Sequence, residues 1–314
     1  MNGNPPEPRL APHVYGHQAA IQQFEEACAS GRLHHAWLIS GPAGVGKATL
    51  AFHLARRVLG GSDLNSPVGR RISAGTHGDL LTISRKLDPR KGQLRGGVTI
   101  SDVQPVQNFL HHTATEGGWR VVIVDGLETL NRSAANALLK ILEEPPPKAI
   151  LFLTSSAPGR LLPTLRSRCR SLTLSGLKDE EMKAVLPELP DDVLRRAHGS
   201  PGRALFLARG RDSVCAQLVA RAMAGEELDH ESWMTISQLA READGFALLC
   251  DLLGEALADQ ARDAAFAGDL PRAAIMAERT ARLGQIRGQS ERFNLDKAEA
   301  IREALALARQ GRQD

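Results

Sequence analysis

The chain of 314 residues has room for two domains, or for one large and two small domains. Hydrophobic residues make up 42% and charged residues 24%, a balance that allows a buried core and excludes general disorder. Aromatic residues make up only 4%, which argues against a surface that stacks many bases. The net charge of +3 allows contact with nucleic acid without requiring it.

The cysteines and the apolar runs favour a cytoplasmic protein. The apolar runs are too short to span a membrane, and the first dozen residues lack the apolar core of a secretory signal. The four cysteines are Cys28, Cys169, Cys215 and Cys250, and no two of them form a CxxC pair. We therefore expect a reduced, cytoplasmic setting with no membrane partner and no disulfide framework.

Helix and strand patterns alternate along the first half of the chain. The predicted helices cover residues 19–29, 47–59, 102–113 with Asp102 as its cap, and a segment from Asn131 or Ser133 to about 144. The predicted strands cover residues 36–40, 80–84, 98–100, 120–124 and 149–154. Residues 60–78 and 85–97 are expected to be loops. Continuous apolar strands separated by helices predict an α/β fold with a parallel sheet covered on both faces.

The pattern changes after about residue 175, where β-branched runs disappear and Ala, Leu, Arg and Glu dominate. Phe246, Leu249, Leu253 and Leu257 fall on one face of a predicted helix. Asn294 or Asp296 can open a last helix that runs to about residue 310. This part of the chain is therefore expected to be all-helical.

Residues 41–49, GPAGVGKAT, have the spacing of a phosphate-binding P-loop and lie between a predicted strand and a predicted helix. Gly41, Gly44 and Gly46 let backbone N–H groups approach phosphate oxygens, and Lys47 supplies a positive charge for the outer phosphates. Together with the adjacent Thr49, they are the candidate nucleotide-binding residues. A glycine-rich turn that binds nothing remains the alternative.

Two groups that an ATP-hydrolysing site needs are missing from this pattern. Position 48 is Ala, where a Ser or Thr hydroxyl would bind Mg²⁺, and Thr49 lies about 100° further around the helix. Asp125 ends a predicted strand at the Walker B position, and the less favoured alternative is a residue that only begins a loop. Gly126 stands where a general base would orient the attacking water, and Glu128 could replace it only through an unusual turn.

Motifs spread over residues 12–175 occur in the order and spacing of one known family. They are RLHHAWLISGPAGVGKATLA, VVIVDGLETLNRSAANALLKILEEPPPKAILFLTSS and LLPTLRSRC, followed by GSPGRAL at residues 199–205. These motifs closely resemble the delta prime subunits of bacterial DNA polymerase III clamp loaders, a family of the AAA+ superfamily. The resemblance implies an AAA+ P-loop domain over residues 1–174, a helical lid domain over 175–211 and a helical collar domain over 212–314.

The same resemblance implies a non-hydrolysing subunit that serves a neighbouring ATPase. The collar would join tau/gamma and delta subunits in a ring of five, with indirect contact to the sliding clamp and primer–template DNA. Arg168 of the SRC motif would act in trans as an arginine finger, unless it only pairs with a local carboxylate. Thr154 matches the sensor 1 position and Arg203 the sensor 2 position; plain hydrogen bonding and a solvated charge are the alternatives. We expect no independent catalysis, although the complex would belong to a DNA-directed DNA polymerase.

The resemblance also bears on cofactors. No cofactor is expected to be required, and any binding of ATP or ADP is expected to be weak. Many relatives carry four zinc-binding cysteines after the P-loop helix, whereas residues 60–79 contain no cysteine, so we predict no zinc and no other metal site.

Two other functions remain open from the sequence. One is a self-sufficient AAA+ ATPase motor subunit of a clamp loader, against which Ala48 and Gly126 argue. The other is a DNA-binding module, supported by the basic residues between Arg85 and Arg95.

Overall fold

The structure, a computed structural model, describes residues 7–31, 33–88, 93–95, 97–116, 118–211, 214–241, 245–293 and 295–309. Contacts between residues divide the chain into two units. One unit comprises Met1–Leu87 and Arg95–Leu205, and the other comprises Asp88–Leu94 and Phe206–Asp314. The division into three domains, with boundaries at 174 and 211, stays a prediction.

A parallel sheet organises the first unit. The strands of the chain are β1 (Ala36–Ser40), β2 (Leu80–Ile83), β3 (Leu87–Asp88), β4 (Gln93–Leu94), β5 (Arg120–Val124), β6 (Ala149–Ser155) and β7 (Arg170–Thr173). Five of them form one sheet in the order β2-β5-β6-β1-β7, whose neighbours pair in parallel, while β3 pairs with β4. Crossover connections of this kind place the carboxyl ends of the strands at one edge of the sheet.

Helices connect these strands and continue after β7 to Arg309. They are α1 (Gln18–Ala29), α2 (Lys47–Leu59), α3 (Pro67–Ala74), α4 (Ile100–His111), α5 (Arg132–Glu143), α6 (Pro163–Arg166), α7 (Asp179–Val185), α8 (Asp191–Arg196), α9 (Pro201–Arg211), α10 (Val214–Met223), α11 (His230–Arg241), α12 (Gly245–Phe266), α13 (Leu270–Phe293) and α14 (Lys297–Arg309). None of the described helices is both long and apolar enough to cross a membrane.

Alternate residues of each central strand face opposite sides of the sheet, as the period of two in a strand requires. On β1, Trp37 and Ile39 belong to the cluster that contains Phe24 of α1, and the Phe24 and Trp37 rings lie 5.0 Å apart. Leu38 belongs to the opposite cluster, which contains Leu138 of α5. The predicted parallel sheet with both faces covered is therefore confirmed.

Two sequence predictions between β2 and β5 are wrong. Residues 98–100 do not form a strand, because Val98 makes only an isolated bridge to Leu130 and Ile100 already begins α4. Asp102 does not cap this helix from outside. It is the third helical residue, and its carboxylate accepts the N–H of the true N-cap Thr99 at 3.0 Å. The short β-branched run is typical of a strand, but the capping box formed by Thr99 and Asp102 begins a helix here.

Two predicted loops contain regular structure. Within residues 60–78, Ser66 caps α3 by accepting the Gly69 N–H at 3.0 Å, Pro67 occupies the first helical position, and Gly75 ends the helix in a left-handed conformation. These are ordinary helix-boundary residues that the Gly- and Ser-rich composition concealed. Within residues 85–97, the strands β3 and β4 pair, and Arg90 and Lys91 lie outside the described residues.

The second unit is helical from α10 to α14 within the described residues, as predicted. The four apolar residues predicted to share one face, Phe246, Leu249, Leu253 and Leu257, are all buried in its core. Asp296 caps α14, because its side chain accepts the Ala298 N–H at 2.8 Å; Asn294, the other predicted cap, lies outside the described residues.

Candidate functional site

The carboxyl ends of β1, β5 and β6 bring the predicted nucleotide-site residues together. The P-loop follows β1, Asp125 follows β5, and Thr154 lies near the end of β6. The strands β5, β6 and β1 are successive neighbours in the sheet, and the Gly41 N–H donates to the Ser155 carbonyl at 3.3 Å. The site therefore lies at the sheet edge where ligands bind in open α/β folds.

The P-loop backbone has the shape of a phosphate cradle. Gly44 and Gly46 have φ angles of +73° and +104°, a region that L side chains rarely adopt, and Gly46 is the N-cap of α2. The N-terminus of α2 thus points at the loop, as it does in phosphate sites. These features fit a phosphate group.

Lys47 points back at its own loop. Its Nζ donates to the Gly41 carbonyl at 2.9 Å and to the Pro42 carbonyl at 2.6 Å, and the residue is buried. Burial lowers the Lys47 pKa, and the nearby carboxylates of Glu128 and Asp125 partly oppose that shift. The lysine charge is therefore held by carbonyl oxygens of its own loop.

Residues far along the chain occupy the next carbonyls of the P-loop. Ser200 Oγ donates to the Ala43 carbonyl at 2.8 Å, and the Gly202 N–H donates to the Gly44 carbonyl at 3.0 Å. A Cβ on Gly202 would lie 2.7 Å from Gly44 Cα, so the two glycines touch backbone to backbone. The start of α9 is thereby fastened to the P-loop.

The amino-terminal segment closes this arrangement. His17 Nε2 donates to the Val45 carbonyl at 3.0 Å. With the bonds from Lys47, Ser200 and Gly202, each carbonyl of residues 41–45 accepts a hydrogen bond from another group of this chain. Internal hydrogen bonds therefore hold the P-loop conformation.

Thr154 ties the Walker B position to the neighbouring strand. Its hydroxyl donates to Asp125 Oδ1 at 2.5 Å and accepts the Gly126 N–H at 2.9 Å, and the side chain is buried. The structure therefore brings the two predicted residues Asp125 and Thr154 into direct contact. One carboxylate oxygen of Asp125 is already engaged by the protein.

The chain makes the unusual turn that would bring Glu128 back toward the site. Gly126 has a φ of +82°, and the following residues Leu127–Thr129 form a short 3-10 helix. Glu128 Oε1 accepts the Ser156 N–H at 3.0 Å, next to the Ser155 carbonyl that binds Gly41. Glu128 is also the carboxylate with the larger influence on the Lys47 pKa. A second acidic group thus lies near enough to the P-loop lysine to raise its pKa.

The donor set for a divalent cation is incomplete at this site. Ala48 lies in the first turn of α2 and offers no side-chain oxygen, while Thr49 follows it on the same helix. Within the part of the chain that the structure describes, no group of three or more His, Cys, Asp or Glu residues is arranged to hold a metal ion. The absence of zinc stays a prediction.

Arg168 lies between α6 and β7 and is 35% exposed. Its Nη2 is 2.8 Å from Glu143 Oε1, and its Nη1 donates to the Thr164 carbonyl at 3.0 Å. Arg168 therefore does pair with a local carboxylate, which was the alternative to its role as an arginine finger. The neighbouring Cys169 is half-buried, and burial raises the pKa of its thiol to about 12, which keeps the thiol protonated and weakly nucleophilic.

Arg203 occupies the first turn of α9. Its backbone N–H donates to Ser200 Oγ at 3.2 Å, so Ser200 caps α9 as well as binding the P-loop. The predicted sensor 2 position thus belongs to the segment that is fastened to the phosphate loop.

The sequence did not predict four residues that contact the site or Arg168. They are His17, Ser200, Gly202 and Glu143. The motif containing Ser200 and Gly202 was visible, and a Ser-Pro pair ahead of a helix is a cap signal. No local signal marks His17 or Glu143, because their partners lie 28 and 25 positions away and only packing brings them together.

Comparison with known proteins places these observations in a family. The family model described as "DNA polymerase III, delta subunit" matches residues 16–178. The chain belongs to this family. The α/β AAA+ fold class and the resemblance to delta prime subunits are therefore confirmed.

Two relatives, both named as delta' subunits, agree with that assignment. The chain is 36% identical over 181 residues to the DNA polymerase III subunit delta' of Pseudomonas aeruginosa, covering 53% of each chain. It is 36% identical over 228 residues to the subunit delta' of Escherichia coli K12, covering 65% of each. The match thus spans about half to two thirds of these relatives' lengths. A solved DNA polymerase III gamma subunit-related protein of Thermotoga maritima has 20% identity and a TM-score of 0.44, covering 88% of this chain and 94% of that one.

Proposed function

We propose that this chain is a delta prime-type subunit of a bacterial clamp loader that completes the ATPase site of a neighbouring subunit and does not hydrolyse ATP itself. Its partners are tau/gamma and delta subunits in a five-membered ring, formed through a helical collar over residues 212–314. Contact with the sliding clamp and primer–template DNA is indirect. The complex acts in the cytoplasm during DNA replication.

The observation that carries this proposal is the combination of a preserved cradle and missing catalytic groups. Gly44 and Gly46 keep the loop shape, whereas Ala48 supplies no Mg²⁺ ligand and Gly126 supplies no base. The Lys47 Nζ donates to the Gly41 and Pro42 carbonyls of its own loop. No cofactor is required, any ATP or ADP binds weakly, and no zinc takes part.

Arg168 is the residue proposed to act in trans. A planar, permanently charged guanidinium on a partly exposed segment is suited to charge that develops on a transferring phosphoryl group. Thr154 and Arg203 occupy the sensor positions. The Thr154 hydroxyl donates to the carboxylate of Asp125, and Arg203 lies at the start of α9, which contacts the P-loop. Neither contributes to hydrolysis in this subunit.

The alternative of a self-sufficient ATPase draws support from Glu128, which the Gly126 turn directs back toward Lys47. Glu128 Oε1 already accepts the Ser156 N–H, and the Mg²⁺ ligand at position 48 is missing, so we place this function second. A DNA-binding module is less favoured, because Lys86 of the basic segment pairs with Asp102 at 3.0 Å.

The test uses the complex reconstituted with tau/gamma and delta subunits of the same organism. Arg168→Ala should leave assembly intact and lower the ATPase activity of the complex, whereas Lys47→Ala should leave that activity unchanged. ATP turnover by the isolated chain that depends on Mg²⁺ and is abolished by Lys47→Ala would favour the motor subunit instead.

The collar assignment has its own test. A chain that ends at residue 211 should remain folded in its first unit and fail to join the complex in gel filtration. Normal co-assembly of this truncated chain would contradict the proposed role of the C-terminal helices.

A further inference from the structure

Glu143 and Arg168 form an ion pair between two elements of the first unit. Glu143 is the last residue of α5, and Arg168 follows α6. Glu143 Oε1 lies 2.8 Å from Arg168 Nη2, and the side chains are 48% and 35% exposed. The pair is therefore at the surface, where an arginine that acts on another subunit has to be.

The guanidinium is held at both terminal nitrogens. Nη2 faces the Glu143 carboxylate, and Nη1 donates to the Thr164 carbonyl at 3.0 Å. Each terminal nitrogen of an arginine carries two N–H groups, so both can bind an anion while keeping these partners. The two contacts therefore fix the direction of the side chain without using up its donors.

The partners of Arg168 are themselves anchored. Leu138 and Leu142 of α5 are buried in the core, and the helix stops at Glu143 because prolines follow at 145–147. Thr164 lies in α6, whose Leu165 is buried in the same core. The backbone segments that carry the carboxylate and the carbonyl are thus anchored in the core.

An exposed ion pair contributes little to the stability of a fold. It can still matter for reactivity, because a long arginine side chain otherwise samples many rotamers and a small displacement of a reacting group costs much rate. A contact that orients Arg168 would therefore change the rate constant more than the stability.

We propose that Glu143 is a positioning residue that directs the Arg168 guanidinium toward the ATPase site of the neighbouring subunit. This inference rests on the trans role of Arg168 proposed above. Glu143 touches no nucleotide itself and acts only through Arg168.

The experiment measures steady-state ATPase activity of the reconstituted complex with variants of this chain. The Arg168-dependent activity is the difference in kcat between wild type and Arg168→Ala. Glu143→Ala should lose more than half of it with little change in the KM for ATP, because ground-state nucleotide binding does not require the pair. Glu143→Gln keeps an oxygen acceptor and should retain more activity than Glu143→Ala.

A matched control removes the adjacent charge. Glu144→Gln, one residue further along, should keep wild-type kcat and assembly. Loss of activity in Glu144→Gln equal to that in Glu143→Gln would mean that the charge of the segment matters and not the pair, and would overturn the proposal.

The double variant distinguishes positioning from an independent role. In the Arg168→Ala background, Glu143→Ala should cause no further fall in kcat, because the group it orients is gone. A further fall, or full activity of Glu143→Ala alone, overturns the proposal. An Arg168→Ala complex with wild-type kcat would instead refute the proposed function.

Assembly is checked for every variant by gel filtration and thermal unfolding. If Glu143→Ala does not assemble, Glu143→Lys serves as the second variant, because it places a repulsive charge beside Arg168. The same loss of Arg168-dependent activity is expected there, and full activity contradicts the proposal.

Discussion

Replacing Gly202 by alanine tests whether the start of α9 is fastened to the P-loop as the structure shows. The added Cβ would lie 2.7 Å from Gly44 Cα and 3.2 Å from the Gly44 carbonyl oxygen. Carbon atoms in contact normally lie about 3.5–4.0 Å apart, so α9 and the P-loop must separate. Both neighbours are backbone, and no flexible side chain can move aside.

The expected cost follows from three contributions. Overpacking costs about 1–3 kcal/mol, and weakening the hydrogen bonds from Gly202 to Gly44 and from Ser200 to Ala43 costs about 0.5–1.5 kcal/mol each. The higher helix propensity of alanine offsets about 1 kcal/mol. We expect a net loss of about 1–5 kcal/mol in the free energy of unfolding, which lowers the melting temperature of a unit of this size by roughly 2–20 °C.

The assay combines calorimetry with hydrogen exchange of peptides that cover residues 41–50 and 199–207. Gly202→Ala should lower the melting temperature and speed exchange in both peptides, because the contact links them. Gly284→Ala in α13 is the matched control: apart from its own stretch of helix, nothing lies within 4 Å of its added Cβ, so this change should stabilise its helix by up to about 1 kcal/mol. If Gly202→Ala behaves like Gly284→Ala, the fastened P-loop is refuted.

Three further predictions concern single side chains. Hydrogen bonds from Thr99 and Lys86 lower the pKa of Asp102 from 3.8 to about 2, so its contribution to stability should be present above pH 3.8 and lost as the pH falls toward 2. The free energies of unfolding of wild type and Asp102→Asn should therefore converge as the pH falls from 3.8 toward 2. A difference in free energy that stays constant down to pH 2 would contradict this prediction. Thr154→Val should lower the free energy of unfolding in urea by about 1–3 kcal/mol, because it leaves the Asp125 carboxylate and the Gly126 N–H without this hydrogen-bond partner. Thr154→Ser keeps a hydroxyl and should lower it less. Iodoacetamide should modify the exposed Cys28 well before the half-buried Cys169, as mass spectrometry would reveal; equal rates would refute the burial argument.

Local patterns made several elements predictable. The strands β1 and β5 and the helix α2 have the bounds expected from the sequence, because buried apolar runs, a glycine-rich turn and a good helix start are contiguous signals. Where residue composition and helix-capping residues indicate different structures, composition alone predicts the wrong element. The segment from Val98 to Ile100 is β-branched, yet Thr99 and Asp102 begin a helix, and α3 is hidden in a Gly- and Ser-rich stretch.

The sequence by itself determined that this chain has a P-loop, that positions 48 and 126 lack the expected oxygens, and that Arg168 stands in an SRC motif, because these are properties of residue type and spacing. Only the tertiary structure decided what those groups contact. The Ser200 hydroxyl reaches a carbonyl 157 positions away, and Glu143 meets Arg168 across two helices. The packing of the elements on the sheet determines which of these groups meet. Local sequence patterns do not predict a hydrogen bond between residues so far apart in the chain.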